Sequence, residues 1–257
     1  MKKRLFFIPV CLLLVSAAAD AQQAMKHEDT EFYSPVPPVV TPGKSCGGAP
    51  SDAIILFNGD NLDNWVLTDD ITKSADWFVK EGIITVNKKS GNIQTRQSFQ
   101  DYQLHIEWRI PKDIEGEGQL RGNSGVFLAS LGKGEAGYKL QIMDSYNNPT
   151  YVNGQAGSIF KQYAPLVNAN FPPGVWQTYD VLWTAPRFNE DGSLKTPACV
   201  TAFLNGLLIQ NNVELKGATV YVGLPSYQKH GPAPIKLQAH GDKSEPISFR
   251  NIWVRPL

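Results

Sequence analysis

The stretch QLHIEWRI, residues 103–110, alternates without a break: Leu104, Ile106, Trp108 and Ile110 are apolar, while Gln103, His105, Glu107 and Arg109 are polar. A period of two marks a β-strand with one face in a core. Two further runs repeat it. In YKLQI (138–142), Tyr138, Leu140 and Ile142 point inward and Lys139 and Gln141 outward; in IKLQAH (235–240), Ile235, Leu237 and Ala239 point inward and Lys236, Gln238 and His240 outward. A sheet with one buried face packs on a second sheet, so the expected fold is all-β, an antiparallel β-sandwich. If the three strands share one sheet, their polar faces converge on a single groove.

The rest of the chain agrees with short strands joined by turns. From Ile54 onward, apolar or alternating runs are separated by Asn58-Gly59, Glu81-Gly82, Ser90-Gly91, Asp191-Gly192 and Asn205-Gly206. No stretch keeps a helical period, and no internal repeat is present. The 257 residues include 22 Gly and 18 Pro, too many for a helical bundle, and a hydrophobic content of 42% excludes wholesale disorder. With 24 Lys+Arg against 24 Asp+Glu, no charge excess points to nucleic acid or a membrane surface as partner.

The amino-terminal end reads as a secretory leader. Lys2, Lys3 and Arg4 precede an apolar run over 5–15 and a small-residue stretch over 16–21. That order is a signal peptide, residues 1–21, with cleavage after Ala21; the apolar run is too short to span a bilayer. The expected destination is the periplasm or the exterior. Residues 22–50 hold Pro35-Val36-Pro37-Pro38, Pro42-Gly43, Gly47-Gly48 and Pro50, and read as an extended arm before a domain over 51–257. Cys46 and Cys199 are too few for a disulfide framework; Cys199, in an apolar stretch, reads as a buried thiol.

A groove lined by Gln, Asn, His, charged groups and aromatics suits polyhydroxylated ligands, because hydroxyls want paired donors and acceptors while sugar faces stack on rings. A small carbohydrate is the first substrate class.

Several motifs carry a more specific resemblance: LFNG (56–59), Trp77 with Glu81-Gly82, FQDYQLHIEWRIP (99–111), RGNSGVFL (121–128), GYKLQIMDSY (137–146), WQTYD (176–180), LNG (204–206), LQAHG (237–241) and FRNIWVRP (249–256). Over roughly the whole mature chain they resemble the 3-keto-disaccharide hydrolase domain family. The resemblance implies a concanavalin A-like jelly-roll sandwich and cleavage of glycosides already oxidised at C3 of a sugar ring. Two positions depart from the family pattern: Lys139 stands where an acidic residue is usual before Leu-Gln, and Ala239 where an aspartate is frequent.

A 3-keto group acidifies the C2 proton, because the carbanion formed is an enolate. Such an enzyme needs a base, a partner for the enolate oxygen and help for the leaving group. His240 is the first candidate base, since imidazole ionises nearest neutrality, at about pH 6.5; its plain alternative is a hydrogen-bonded groove histidine. Glu107 is the second, as base or metal ligand, against an ion pair with Arg109. Arg109 is the candidate enolate partner. Asn123 and Arg121, in the Gly-flanked RGNSG turn, with Gln141, Lys139, Gln238, Asp144 and His230, are candidate substrate contacts. Asp144 has an equal claim as a cap on the loop after it. His105 is a weaker site candidate.

A divalent cation held by Glu107, His240 or Asp144 is compatible with the sequence. No zinc spacing, nucleotide-binding glycine loop or serine-hydrolase elbow occurs, so a nucleotide cofactor is not expected. Two other functions fit a sandwich with a polar groove. One is a noncatalytic carbohydrate-binding module. The other is an ordinary retaining glycosidase, which requires two facing carboxylates about 5–5.5 Å apart.

Overall fold

The computed structural model describes residues 25–241 and 246–257; the expected leader, 1–21, lies outside the described residues. Two compact units divide the chain at Val39 and Val40. The described part of the first carries a short 3-10 turn, His27–Thr30, in which the His27 imidazole lies 3.0 Å from Glu28 and 3.3 Å from Glu31. The second unit includes residues 40–50 of the Pro- and Gly-rich segment. Ser51 N–H donates to the Thr41 carbonyl and the Trp253 indole to that of Gly47, both at 2.9 Å, so residues 40–50 are bonded to the body although they form no strand.

The strands are β1 (Ile54–Phe57), β2 (Trp65–Leu67), β3 (Phe78–Lys80), β4 (Ile83–Thr85), β5 (Ile93–Thr95), β6 (Tyr102–Arg109), β7 (Ser124–Ser130), β8 (Gly137–Ile142), β9 (Trp176–Thr184), β10 (Arg187–Phe188), β11 (Leu194–Thr196), β12 (Cys199–Leu204), β13 (Leu207–Glu214), β14 (Lys236–Leu237) and β15 (Ser248–Pro256). An eight-stranded sheet runs β13-β12-β9-β6-β15-β4-β3, with β1 also on β15; a five-stranded sheet runs β2-β5-β14-β7-β8. All pairings are antiparallel, and among the described residues there is no α-helix. The fold is an antiparallel β-sandwich.

The alternation places the core as expected. Leu104, Ile106, Trp108 and Ile110 from one sheet meet Val126, Leu128, Tyr138, Leu140, Ile142 and Leu237 from the other, all buried. Two turns close hairpins with both central residues at positive φ, Glu81 (52°) with Gly82 (76°) and Asn205 (53°) with Gly206 (80°), the geometry that suits the twist of flanking strands. Cys46 is exposed and Cys199 half-buried, both free thiols; Cys199 Sγ lies 2.9 Å from Asn212 Oδ1, and burial pushes its thiol pKa up.

One expectation is corrected. β6 lies in the eight-stranded sheet, whereas β8 and β14 lie in the five-stranded one, so their polar faces look outward from opposite sides of the sandwich. A period of two tells which side chains share a face, and carries no information on which sheet the strand joins.

Candidate active site

On the outward face of the eight-stranded sheet, the polar residues of β6 meet partners set by strand register. His105 lies opposite Asp180 on β9 and Trp253 on β15, Glu107 opposite Arg250, and Arg109 opposite Trp176. His105 Nδ1 is 2.7 Å from Asp180 Oδ1 and its ring stacks on Trp253 at 5.2 Å. Glu107 accepts from Arg250 Nε at 2.6 Å and from Asn251 Nδ2 at 2.8 Å. The Asn251 amide reaches Glu107 because β15 bulges there, with Asn251 at φ 46°. Arg109 and Arg250 both sit over the Trp176 ring, 4.6 and 4.2 Å from its centroid. Burial raises the Glu107 pKa, but the bonds from Asn251 and Arg250 and the charge of Arg250 outweigh it and hold the carboxyl below its ordinary value. The expected Glu107–Arg109 pair is replaced by Glu107–Arg250.

The outward face of the five-stranded sheet is different. Register sets Gln94, Lys236, Phe127 and Lys139 in one row across β5, β14, β7 and β8. The next row pairs Gly125 with Gln141, and Gln238 N–H donates to the Gly125 carbonyl at 3.0 Å. Loops roof these rows and line a cavity of about 390 Å³ with Gln119, Leu120, Asn123, Glu135, Lys139, Tyr151, Phe160, Tyr221 and His240. The segment after β8 runs back beside it, Gly157 N–H donating to the Gln141 carbonyl and Phe160 N–H to that of Lys139, which brings the Phe160 ring 4.6 Å from Lys139 Nζ.

Lys139 is 1% exposed, and among the described residues its ammonium donates no hydrogen bond. Burial pushes its pKa down to about 8, against the charge of Glu135, which raises it. Its stem lies over Gly125, where an added Cβ would come within 2.4 Å of Lys139 Cε; a side chain there would displace the lysine. Gln141 Nε2 donates to Asn123 Oδ1 at 3.0 Å, and Asn123 Nδ2 to the Gln119 carbonyl at 2.9 Å. Gln238 Nε2 donates to Glu135 Oε1 at 2.5 Å. Gln141 Oε1 and Gln238 Oε1 are buried without a partner. Native structures seldom leave such atoms unpaired without a ligand or water to meet them.

Of the residues singled out from sequence, His240, Lys139 and Asn123 line this cavity, with Gln141 and Gln238 bonded to its walls. Glu107 and Arg109 belong to the other sheet and do not join His240. Arg121 and Asp144 form a clamp: Arg121 Nε is 2.7 Å from Asp144 Oδ2 and Nη2 donates to the Tyr146 carbonyl at 2.6 Å. Asp144 accepts from Tyr146 N–H at 3.0 Å, so it caps the loop; burial, opposed by that bond and by Arg121, raises its pKa. His230 is held between Tyr138 and Gly231, Nε2 at 3.0 Å from the Tyr138 hydroxyl and Nδ1 at 2.8 Å from the Gly231 carbonyl, and is not among the lining residues. Glu107 lies on the other sheet from His240, and among the described residues no three His, Cys, Asp or Glu are grouped to hold a metal ion. Gln119, Glu135, Tyr151, Phe160 and Tyr221 were not signalled by any period; they sit in loops or irregular segments. No helix among the described residues is long and apolar enough to cross a membrane.

No curated protein matches the chain. A crystal structure named "putative glycosyl hydrolase from Parabacteroides distasonis" is 53% identical, with 91% of this chain and 98% of that one covered and a TM-score of 0.84. Two further structures of the same description and organism are 20% and 19% identical, cover 80% of this chain and 94% and 99% of their own, have TM-scores of 0.58 and 0.54, and share the fold. The model of the 3-keto-alpha-glucoside-1,2-lyase-like domain matches residues 52–255. With its sandwich and its roofed polar cavity, the chain belongs to the 3-keto-alpha-glucoside-1,2-lyase-like domain family.

Proposed function

We propose that the protein is an exported carbohydrate-active enzyme that cleaves 3-keto-glycosides by removing the C2 proton and expelling the C1 substituent. The observation that carries this reading is the cavity on the five-stranded sheet, where a histidine, a buried lysine and amide side chains face aromatic walls in a chain of this family. Its size falls in the usual range for small-molecule sites, about 300–1,000 Å³. Tyr151, Phe160 and Tyr221 offer ring faces to a sugar, and Asn123 and Gln119 offer groups to its hydroxyls.

In this reading His240 takes the C2 proton, the electron pair moves toward C3, and the C1–oxygen bond breaks. The proton held by His240 is then available to the departing oxygen. The immediate product is an enone; addition of water across its double bond converts lyase action into net hydrolysis. Among the described residues, Glu135 is the one carboxylate lining the cavity, whereas a retaining glycosidase needs two facing each other. The test is to incubate the protein with a 3-keto-disaccharide and with its unoxidised parent. Cleavage of the keto form alone is expected; cleavage of the parent alone, or of neither, would overturn the reading.

A further inference from the structure

Lys139 and Lys236 stand in one row of the five-stranded sheet, 1% and 0% exposed. Lys236 is fully occupied: its Nζ donates to the carbonyls of Gly132, Gly134 and Ala136 at 3.0, 3.0 and 2.7 Å. Lys139 is buried along its stem, has the Phe160 ring for its neighbour and lines the cavity, and among the described residues its amine donates no hydrogen bond. An amine whose stem is packed and whose head is presented to a cavity, with no protein acceptor for it, is placed to meet a ligand. Burial lowers the pKa of both lysines to about 8, but of the two only Lys139 lines the cavity, where a neutral amine is a nucleophile within reach of a ligand. Arg109, the expected enolate partner, lies on the other sheet, which leaves the role of electron sink to a group lining the cavity.

We infer that Lys139 Nζ condenses with the C3 carbonyl carbon of the keto-sugar, and that the resulting iminium is the electron sink for removal of the C2 proton. This rests on the reading given above for the same cavity. The amine lone pair forms the C3–N bond, and the carbonyl oxygen leaves as water after taking one proton from the amine and one from solvent. His240 removes the C2 proton, giving an enamine. The nitrogen lone pair then re-forms C=N, the C2–C3 pair moves to C1–C2, and the C1–oxygen bond breaks with protonation of the leaving oxygen. Water adds to C3 and releases the enone and the free amine. No oxidant or reductant is consumed.

The test is reductive trapping. The protein is mixed with a 3-keto-glucoside and sodium cyanoborohydride, which reduces an iminium in preference to a ketone, and the adduct is located by intact mass and peptide mapping. The expected result is a sugar adduct on Lys139, absent with the unoxidised glucoside. Lys139→Arg, which keeps the charge and cannot form the iminium, should lose the adduct and about 10²-fold or more in turnover while its circular dichroism is unchanged. Cleavage by the wild type without an adduct, or Lys139→Arg turning over near the wild-type rate, would overturn the inference and leave the 3-keto-glycoside reading standing. An adduct without cleavage would support the amine chemistry and sink that reading; neither adduct nor cleavage would sink both.

Discussion

On the outward face of the eight-stranded sheet, Glu107 is met by Arg250 and Asn251, His105 by Asp180 and Trp253, and Arg109 by Trp176. On that of the five-stranded sheet, Lys139 lines a cavity with no hydrogen bond from its amine among the described residues, and Gln141 Oε1 and Gln238 Oε1, on side chains bonded to the cavity wall, are buried without a partner. Both faces use charged and amide side chains on alternating strands. What separates them is whether the protein itself answers each donor and acceptor. A face that satisfies itself is a tie between strands; one that leaves atoms waiting is prepared for a ligand.

That contrast can be broken by experiment. The largest effect is expected for His240→Ala, a fall in turnover on the keto substrate of about 10²–10⁴, the usual range for loss of a general base; initial rates measure it, and a variant at the wild-type rate would move the base elsewhere. Gly125→Ala should follow, losing about 10²-fold because its Cβ displaces the Lys139 stem, and a misplacement of about 1 Å at a reacting group costs that much. Its melting temperature should move little, since the obstructed atoms belong to a side chain open to the cavity.

The two buried lysines should respond oppositely to replacement by methionine. Burial lowers both ammonium pKa values to about 8, so below that pH the folded state bears the cost of keeping each charged, a cost that three carbonyl acceptors offset for Lys236 and that no described acceptor offsets for Lys139. Lys139→Met should therefore gain about 1–3 kcal/mol at neutral pH, while losing turnover, and the gain should fade as pH rises from about 8 toward 10.4. Lys236→Met should lose about 1–2 kcal/mol, since it releases the loop carbonyls of Gly132, Gly134 and Ala136. The sign of the change in urea unfolding at neutral pH distinguishes the pair. Equal changes of the same sign would break the contrast.

The smallest effect belongs to Glu107→Gln. The carboxyl titrates below its ordinary value, so its contribution is present above about pH 4.3 and is lost as pH falls through the folded value. Glu107→Gln should cost about 1 kcal/mol at neutral pH, the difference shrinking in acid, with turnover unchanged within about twofold.

The core was legible from alternation, because an apolar face must be buried whichever sheet receives it: Trp108, Tyr138 and Leu237 are where the period of two puts them. The hairpin at Asn205-Gly206 was legible for a local reason as well, since both residues sit at positive φ. The candidate site was half legible. His240, Lys139, Gln141 and Gln238 follow from strand faces, and Asn123 from its Gly-flanked turn. Glu107 and Arg109 were drawn in by the same alternation, because the assignment of β6 to the other sheet depends on pairing with β15, far along the chain. Gln119, Glu135, Tyr151, Phe160 and Tyr221 reach the cavity from loops and irregular segments, where no periodicity constrains which way a side chain turns.

The claim that chemistry belongs to the five-stranded face is tested most directly by deuterium exchange at C2 of a 3-keto-glucoside, followed by NMR with wild type, His240→Ala and Glu107→Gln side by side. Glu107→Gln should exchange the C2 proton at the wild-type rate and His240→Ala at least about 10²-fold more slowly. Exchange lost in Glu107→Gln and kept in His240→Ala would contradict the account and move the reaction to the opposite side of the sandwich.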